Sequence, residues 1–210
     1  MKLQVAFDVM SIEEMDERLS KIKDYVDIVE VGTPMIIMDG QKPVRYFSEK
    51  YPDKKILSDT KIMDGGKLEA EYALNAGASI VTVCACADVA TIKGCLEATK
   101  AAGKELLVDL IGISDVETTA KYLDELGVDY ICVHTASDVQ SDKNNPIDEL
   151  RRIRKIVKNA KVSVAGGINF TTLDTIMKEQ PDVIIVGSAI HKADDYVETC
   201  KKMYNLIKEG

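Results

Sequence analysis

Apolar and polar positions alternate between two periods along the whole chain. Eight short runs are nearly continuous in Val, Ile and Leu: Leu3–Asp8, Val26–Val31, Lys55–Asp59, Ser79–Cys84, Glu105–Leu110, Asp129–His134, Lys161–Ala165 and Asp182–Val186. Such runs read as parallel strands buried on both faces. Between them lie stretches of roughly 10–17 residues with apolar positions at helical spacing, such as Ile12, Met15, Leu19 and Ile22. Ser11 followed by Glu14 is a capping-box signature at the first helix. Gly77, Gly103 and Gly127 stand where helices should end in a left-handed cap. Pro146 opens the sixth helical stretch, where a missing N–H costs nothing.

Eight β-α units predict an α/β fold, a single (β/α)8 barrel (TIM barrel), over a doubly wound open sheet. The 210 residues are fewer than the ~250 typical of such barrels, so the loops must be minimal. A doubly wound nucleotide fold should carry G-x-G-x-x-G after its first strand, and Asp8-Val9-Met10-Ser11 has no glycine. No linker or composition break divides residues 1–210, so one domain is expected.

Composition narrows the partners. The chain is 46% hydrophobic and 30% charged, with net charge −8, which argues against nucleic acid or an anionic membrane surface as partner. No apolar run reaches the ~18 residues of a membrane span. Met1-Lys2-Leu3-Gln4-Val5 lacks a signal-peptide layout, and the expected location is the cytoplasm. Cys84, Cys86, Cys95, Cys132 and Cys200 show neither disulfide nor zinc spacing and are expected as reduced thiols, mostly packed as small apolar residues.

In this fold the functional groups gather at the C-terminal ends of the strands. There the first, second, third and fifth strands carry Asp8, Glu30, Asp59 and Asp109, and the sixth carries His134 followed by Asp138. The third run continues as Asp59-Thr60-Lys61-Ile62-Met63-Asp64-Gly65-Gly66; on a strand, Asp59 and Lys61 share a face. One strand-end acid is usually a cap or a salt bridge. Four around one lysine repel unless a cation joins them. Oxygen-only ligation suggests Mg²⁺, with Mn²⁺ as an alternative, over Zn²⁺. Lys61 as a Schiff-base nucleophile is disfavoured, because Asp59 and Asp64 should hold its amine protonated. The loops after the last two strands, Gly166-Gly167 and Gly187-Ser188, are where this fold takes a phosphate. A cation, a lysine, a histidine and a phosphate cradle suit a phosphorylated sugar with vicinal oxygens. His191 is expected on the surface, and the basic residues from Arg151 to Lys161 on a solvated helix face.

Several stretches carry a resemblance: Ala6-Phe7-Asp8, Val29-Glu30-Val31-Gly32-Thr33-Pro34, Asp59-Thr60-Lys61-Ile62-Met63-Asp64-Gly65-Gly66, Val133-His134-Thr135, Val164-Ala165-Gly166-Gly167-Ile168 and Ile185-Val186-Gly187-Ser188-Ala189-Ile190. The chain resembles, nearly end to end, the 3-hexulose-6-phosphate synthase family of the orotidine-monophosphate-decarboxylase-like barrels. Its sister family is the 3-keto-L-gulonate-6-phosphate decarboxylases. The resemblance implies a homodimer with active sites at the subunit interface. It implies Glu30 and Asp59 as magnesium ligands, Lys61 beside an enediolate oxygen, Asp64 reaching the partner's site and His134 as acid/base. Asp8 and Asp109 would line the sugar pocket, and Gly166, Gly167, Gly187 and Ser188 would hold the phosphate. The implied reaction is the reversible aldol addition of formaldehyde to ribulose 5-phosphate through a metal-stabilised enediolate.

The sister decarboxylases typically carry an arginine three residues after this histidine, and often another directly after it. This chain reads His134-Thr135-Ala136-Ser137-Asp138-Val139-Gln140, without either. Thr135, Asp138 and Gln140 fit the synthase pattern, in which Gly and an aromatic residue or Thr usually stand where Ala136-Ser137 does. Asp138 is therefore a further substrate-binding candidate. A sugar-phosphate epimerase or isomerase and a non-catalytic phosphosugar binder remain as alternatives on the same barrel.

Overall fold

A computed structural model describes residues 1–139 and 146–210. Eight parallel strands close into a barrel in sequence order. In chain order the elements are β1 (Lys2–Phe7), α1 (Ile12–Ile22), β2 (Ile28–Val31), α2 (Thr33–Asp39), α3 (Lys42–Lys50), β3 (Lys55–Ile62), α4 (Gly66–Asn75), β4 (Ile80–Cys84) and α5 (Val89–Ala101). They continue as β5 (Glu105–Asp109), α6 (Val116–Leu126), β6 (Tyr130–His134), α7 (Ile147–Ile156), β7 (Lys161–Ala165), α8 (Phe170–Lys178), β8 (Val183–Val186), α9 (Ser188–His191) and α10 (Tyr196–Glu209). Parallel pairing of β1 with β8 closes the ring.

The continuous apolar strands serve two cores, because successive side chains point to opposite faces. Residues such as Leu3, Val5, Val81, Val83, Ile131 and Val133 pack outward against the helices. Ile28, Leu57, Ile80, Leu107, Tyr130, Cys132 and Val183 fill the barrel itself. The N-terminal end of the barrel is closed by charge. Glu105 takes Lys55 and Lys161, and the Lys161 ammonium lies 4.6 Å from the centre of the Tyr130 ring. The expected helix signals are in place: Ser11 and Glu14 form the capping box, and Gly77, Gly103 and Gly127 all take positive φ. Pro146 is the N-cap of α7 and so stands just outside it.

β6 and β8 begin one residue later than their hydrophobicity suggested. Asp129 and Asp182 are brackets: their carboxylates accept from the N–H groups of Leu106 and Val162, 2.9 and 2.8 Å away, near the start of the preceding strand. Asp27 does the same for Leu3 before β2, at 2.8 Å. A charged acceptor thus satisfies a strand-end donor that lies beyond the ladder.

β3 differs most from expectation. It runs three residues past Asp59, to Ile62. Its register on β4 goes from Ser58 opposite Val81 to Ile62 opposite Val83, so four steps on β3 face two on β4. This bulge sits at the C-terminal rim, where bulges re-aim side chains.

The basic stretch on α7 is paired with acids: Arg151 with Glu179, Arg152 with Glu117 and Arg154 with Asp182. The five cysteines are free thiols, all buried except Cys86. Among the described residues no helix is long and apolar enough to cross a membrane.

Candidate active site

The C-terminal mouth of the barrel gathers Asp8, Glu30, Asp59, Lys61, Asp109 and His134. Each sits where its strand directs it. Glu30, Asp109 and His134 share inward parity with the barrel-filling residues of β2, β5 and β6, and the bulge turns both Asp59 and Lys61 into the same space. Lys61 has φ of +45°, a conformation that side-chain-bearing residues rarely adopt and that costs on the order of 1–3 kcal/mol. The cluster itself encloses a cavity of 30 Å³, lined by Gln4, Glu30, Asp59, Lys61, Asp109 and His134, among others. That space holds only a water or two, so a sugar would sit above it, at the mouth.

Asp59 is the best-supported carboxylate. Its Oδ1 accepts from the Thr82 hydroxyl at 2.9 Å, and its Oδ2 accepts from the Thr33 hydroxyl at 2.7 Å and from the Lys61 ammonium. Burial alone would raise its pKa, but the Lys61 charge and these hydrogen bonds outweigh it and keep the group below the usual carboxylate range. Lys61 reaches a second acid, Asp109, at 3.7 Å. Burial would favour the neutral amine, yet Asp59 and Asp109 hold the ammonium well above the ordinary amine range. Protonation of Lys61 is therefore enforced, by Asp109 where Asp64 had been expected. Asp109 also accepts from His134 Nδ1, 2.8 Å away, and from the Ile111 N–H at 2.9 Å. A carboxylate only accepts, so Nδ1 carries a hydrogen, and Nε2 is the ring nitrogen left to exchange a proton with a substrate.

Glu30 is buried, at 7% exposure. Burial first, and then the Asp59 charge, push its carboxyl well above the usual range, although the Gln4 amide donates to it at 2.6 Å. Asp8 is raised too, by burial and then by Asp59. Gly32 makes room for it: a Cβ there would lie 2.2 Å from Asp8 Oδ1.

Four acids crowd around one ammonium and one imidazole, and the charge of Asp59 adds to burial, the larger cause, in raising Glu30 and Asp8. The donors gathered here are all oxygens, the chemistry that suits a hard divalent cation, and Glu30 and Asp59 are the pair expected to hold one. Among the described residues no three His, Cys, Asp or Glu side chains form a cage. Mg²⁺ does not need one, since it commonly takes one or two carboxylates and completes its shell with water and substrate oxygens.

The glycine loops flank this cluster. Gly166 has φ of +99°, and a Cβ on it would lie 2.2 Å from the Thr135 carbonyl oxygen, so only glycine lets β7 turn this close to the β6 loop. Gly167 also takes positive φ, at +68°. Gly187 is the N-cap of α9, lies beside Asp8, and is followed by the exposed Ser188.

Two candidates stand apart from the cluster. Asp64 is exposed, and its carboxylate accepts from the Gly65 N–H at 2.7 Å. Asp138 is exposed in the short turn Ser137–Val139. Gln140 lies outside the described residues. His191, expected on the surface, is largely buried. Its Nε2 meets the Ala6 carbonyl at 3.0 Å, its ring packs on Phe7 with centroids 4.6 Å apart, and its Nδ1 is buried without a partner. Its place at the start of the eighth helical stretch had suggested a surface position. Sequence reasoning passed over Gln4, Thr33 and Thr82. The available signal was a single polar residue inside an apolar strand, as in Leu3-Gln4-Val5 and Val81-Thr82-Val83.

A family model described as the orotidine 5'-phosphate decarboxylase / HUMPS family matches residues 1–203. The 3-hexulose-6-phosphate synthase of Bacillus subtilis (strain 168) is 46% identical over 210 residues, covering 100% of both chains. That of Staphylococcus haemolyticus is 44% identical over 208 residues, covering 99% of each. Among solved structures, 3-hexulose-6-phosphate synthase from Salmonella typhimurium matches with a TM-score of 0.96 at 41% identity, covering 100% of this chain and 99% of that one.

Proposed function

The chain belongs to the orotidine 5'-phosphate decarboxylase / HUMPS family, and from that premise we propose that it is a 3-hexulose-6-phosphate synthase, a carbon-carbon lyase joining formaldehyde to ribulose 5-phosphate. The observation that carries this is the chain of contacts from His134 through Asp109 to Lys61 and Asp59. It sets an imidazole, oriented through Nδ1 and with Nε2 left for proton exchange, beside a lysine held as ammonium.

His134 Nε2 takes the C1 proton of ribulose 5-phosphate. The electron pair left behind is delocalised onto the C2 oxygen, toward which Lys61 Nζ directs a hydrogen bond. C1 then attacks the carbon of formaldehyde, whose oxygen takes the proton back from His134. The product is a six-carbon 3-ketose 6-phosphate, with no atom lost. Glu30 and Asp59 would hold Mg²⁺, which when bound supplies Lewis-acid stabilisation of negative oxygen. Lys61 cannot serve as the nucleophile, because a lysine fixed as ammonium has no lone pair. Asp8 and Asp138 are proposed to meet sugar hydroxyls. Gly166, Gly167, Gly187 and Ser188 are proposed to hold the phosphate, with backbone N–H groups the natural donors.

A homodimer is part of the proposal. Ile37 and Met38 on α2 are 76% and 81% exposed, and Met63, Leu68 and Tyr72 in and before α4 are each more than half exposed. Both helices flank β3, so a second copy covering this apolar face would lie next to the site, with Asp64 on the same side. Five unpaired cysteines suit a reducing compartment and support a cytoplasmic location.

The test is formaldehyde consumption in the presence of ribulose 5-phosphate, with magnesium and then with excess chelator. Magnesium-dependent loss of formaldehyde is expected. Carbon dioxide release from 3-keto-L-gulonate 6-phosphate without formaldehyde loss would assign the sister activity instead. Sedimentation at twice the chain mass is expected, and a monomer that turns over normally would remove the dimer.

A further inference from the structure

β4 places one polar side chain inside the barrel, Thr82, at 2% exposure. Packing alone would be served as well by valine, which has the same shape. The difference between them is the hydroxyl, and its bonds span the bulge in β3. Thr82 Oγ1 donates to Asp59 Oδ1 at 2.9 Å and accepts from the Lys61 N–H at 2.9 Å. The Thr82 carbonyl accepts from the Thr60 hydroxyl at 3.1 Å. The orientation of the hydroxyl is fully determined, because a carboxylate can only accept and an N–H can only donate.

Lys61 is the residue whose backbone is strained, at φ of +45°. Its N–H is met by a side-chain oxygen in place of a ladder carbonyl. One hydroxyl therefore fixes both the backbone that carries the ammonium and the carboxylate that faces it. Strain of this kind persists only when the surroundings over-determine it. We propose that Thr82 is a positioning residue of the active site: its hydroxyl locks the β3 bulge, so that the Lys61 ammonium and the Asp59 carboxylate converge on the same reacting atoms. The catalytic part of this rests on the aldol reading of the site; the structural part does not.

The experiment compares Thr82→Val, which keeps the shape and deletes the oxygen, with Thr82→Ser, which keeps the oxygen and deletes a methyl. Turnover and amide hydrogen exchange are measured together. Misplacing a catalytic group by about 1 Å costs about 100-fold. Thr82→Val should lose about 10- to 100-fold in kcat, with KM for ribulose 5-phosphate moving less than about threefold. Thr82→Ser should recover to within about threefold of wild type. The Lys61 amide should exchange about tenfold faster in Thr82→Val than in wild type or Thr82→Ser, because its acceptor is gone. Equal impairment of Val and Ser variants, a loss confined to KM, or unchanged Lys61 protection in Thr82→Val would each overturn the proposal. If Thr82→Val does not fold, Thr82→Cys against Thr82→Ser makes the same contrast, since a thiol is a poor donor and acceptor. A wild-type protein inert toward formaldehyde would refute the aldol reading, and the exchange comparison would still decide the role of Thr82 in the bulge.

Discussion

His191 makes the stability of this barrel sensitive to mild acid. Its ring lies between Phe7 and the Ala6 carbonyl, and its unpartnered Nδ1 is sealed from water. Nε2 is therefore the nitrogen that carries hydrogen, and a second proton would have no acceptor. Burial, opposed by the Ala6 bond and reinforced by Arg18, pushes the pKa down from 6.5 to about 4. As the pH falls below about 6.5 the unfolded chain binds a proton that the folded chain refuses until about 4. The contribution is thus fully present above 6.5 and is lost progressively as the pH drops through that window. At about 1.4 kcal/mol per pH unit, about 2 kcal/mol is gone by pH 5 and about 3 kcal/mol by pH 4.

The perturbation is His191→Phe, which keeps a ring on Phe7 and removes the titration. Loss of the bond to Ala6 should cost about 1 kcal/mol at pH 7. At pH 5 the order inverts, with the variant more stable by about 1 kcal/mol, because it escapes the proton penalty of about 2 kcal/mol. Urea unfolding of both proteins at the two pH values reads this directly. Carboxylates that titrate in the same range are common to both and cancel in the difference. Parallel losses of stability between pH 7 and pH 5 would refute the burial of a neutral His191. So would a proton titration of this histidine near 6.5 by NMR, where only two histidines need assignment.

Lys61→Ala removes the one ammonium among four carboxylates; it should abolish turnover and lower stability by about 3 kcal/mol, as breaking a buried ion pair does. Near-normal activity in that variant would take Lys61 out of the chemistry. Asp124→Ala deletes a carboxylate that accepts from the N–H groups of Lys158, Asn159 and Ala160 at 2.9, 2.9 and 2.7 Å. A loss of about 3 kcal/mol in denaturant unfolding is expected, with kcat unchanged, and a neutral result would mean that water replaces the carboxylate. Gln180, exposed at φ of +52° after α8, sits where glycine is the natural residue. Gln180→Gly should raise stability by about 0.5–1 kcal/mol, and a drop in Tm would show that the left-handed turn is not strained.

The barrel was legible in the order of hydrophobic runs, because a strand buried on both faces has to be apolar at both parities. The acids at the strand ends were legible as well. Asp8, Glu30, Asp59 and Asp109 break otherwise apolar runs at the end where this fold gathers chemistry. What distances between residues far apart in the chain decide was not legible. The lysine's second partner proved to be Asp109, 48 positions away, and not the nearby Asp64, because β4 pairs with both β3 and β5 and sets Asp109 on the same inward side as the bulge, while Asp64 is exposed. His191 read as a surface residue at the start of the eighth helical stretch, whereas the single turn of α9 packs its ring on Phe7 of β1. Period-two alternation foretold that Asp59 and Lys61 share a side, but it gave no hint that a bulge and a positive φ achieve this, nor that a threonine on the next strand holds both. The sequence by itself determined the strands, their two-sided burial and the charges at their ends, since these follow from periodicity along one segment. Only the tertiary structure decided which charge meets which, because those pairings depend on register and closure between strands, and a local pattern carries neither.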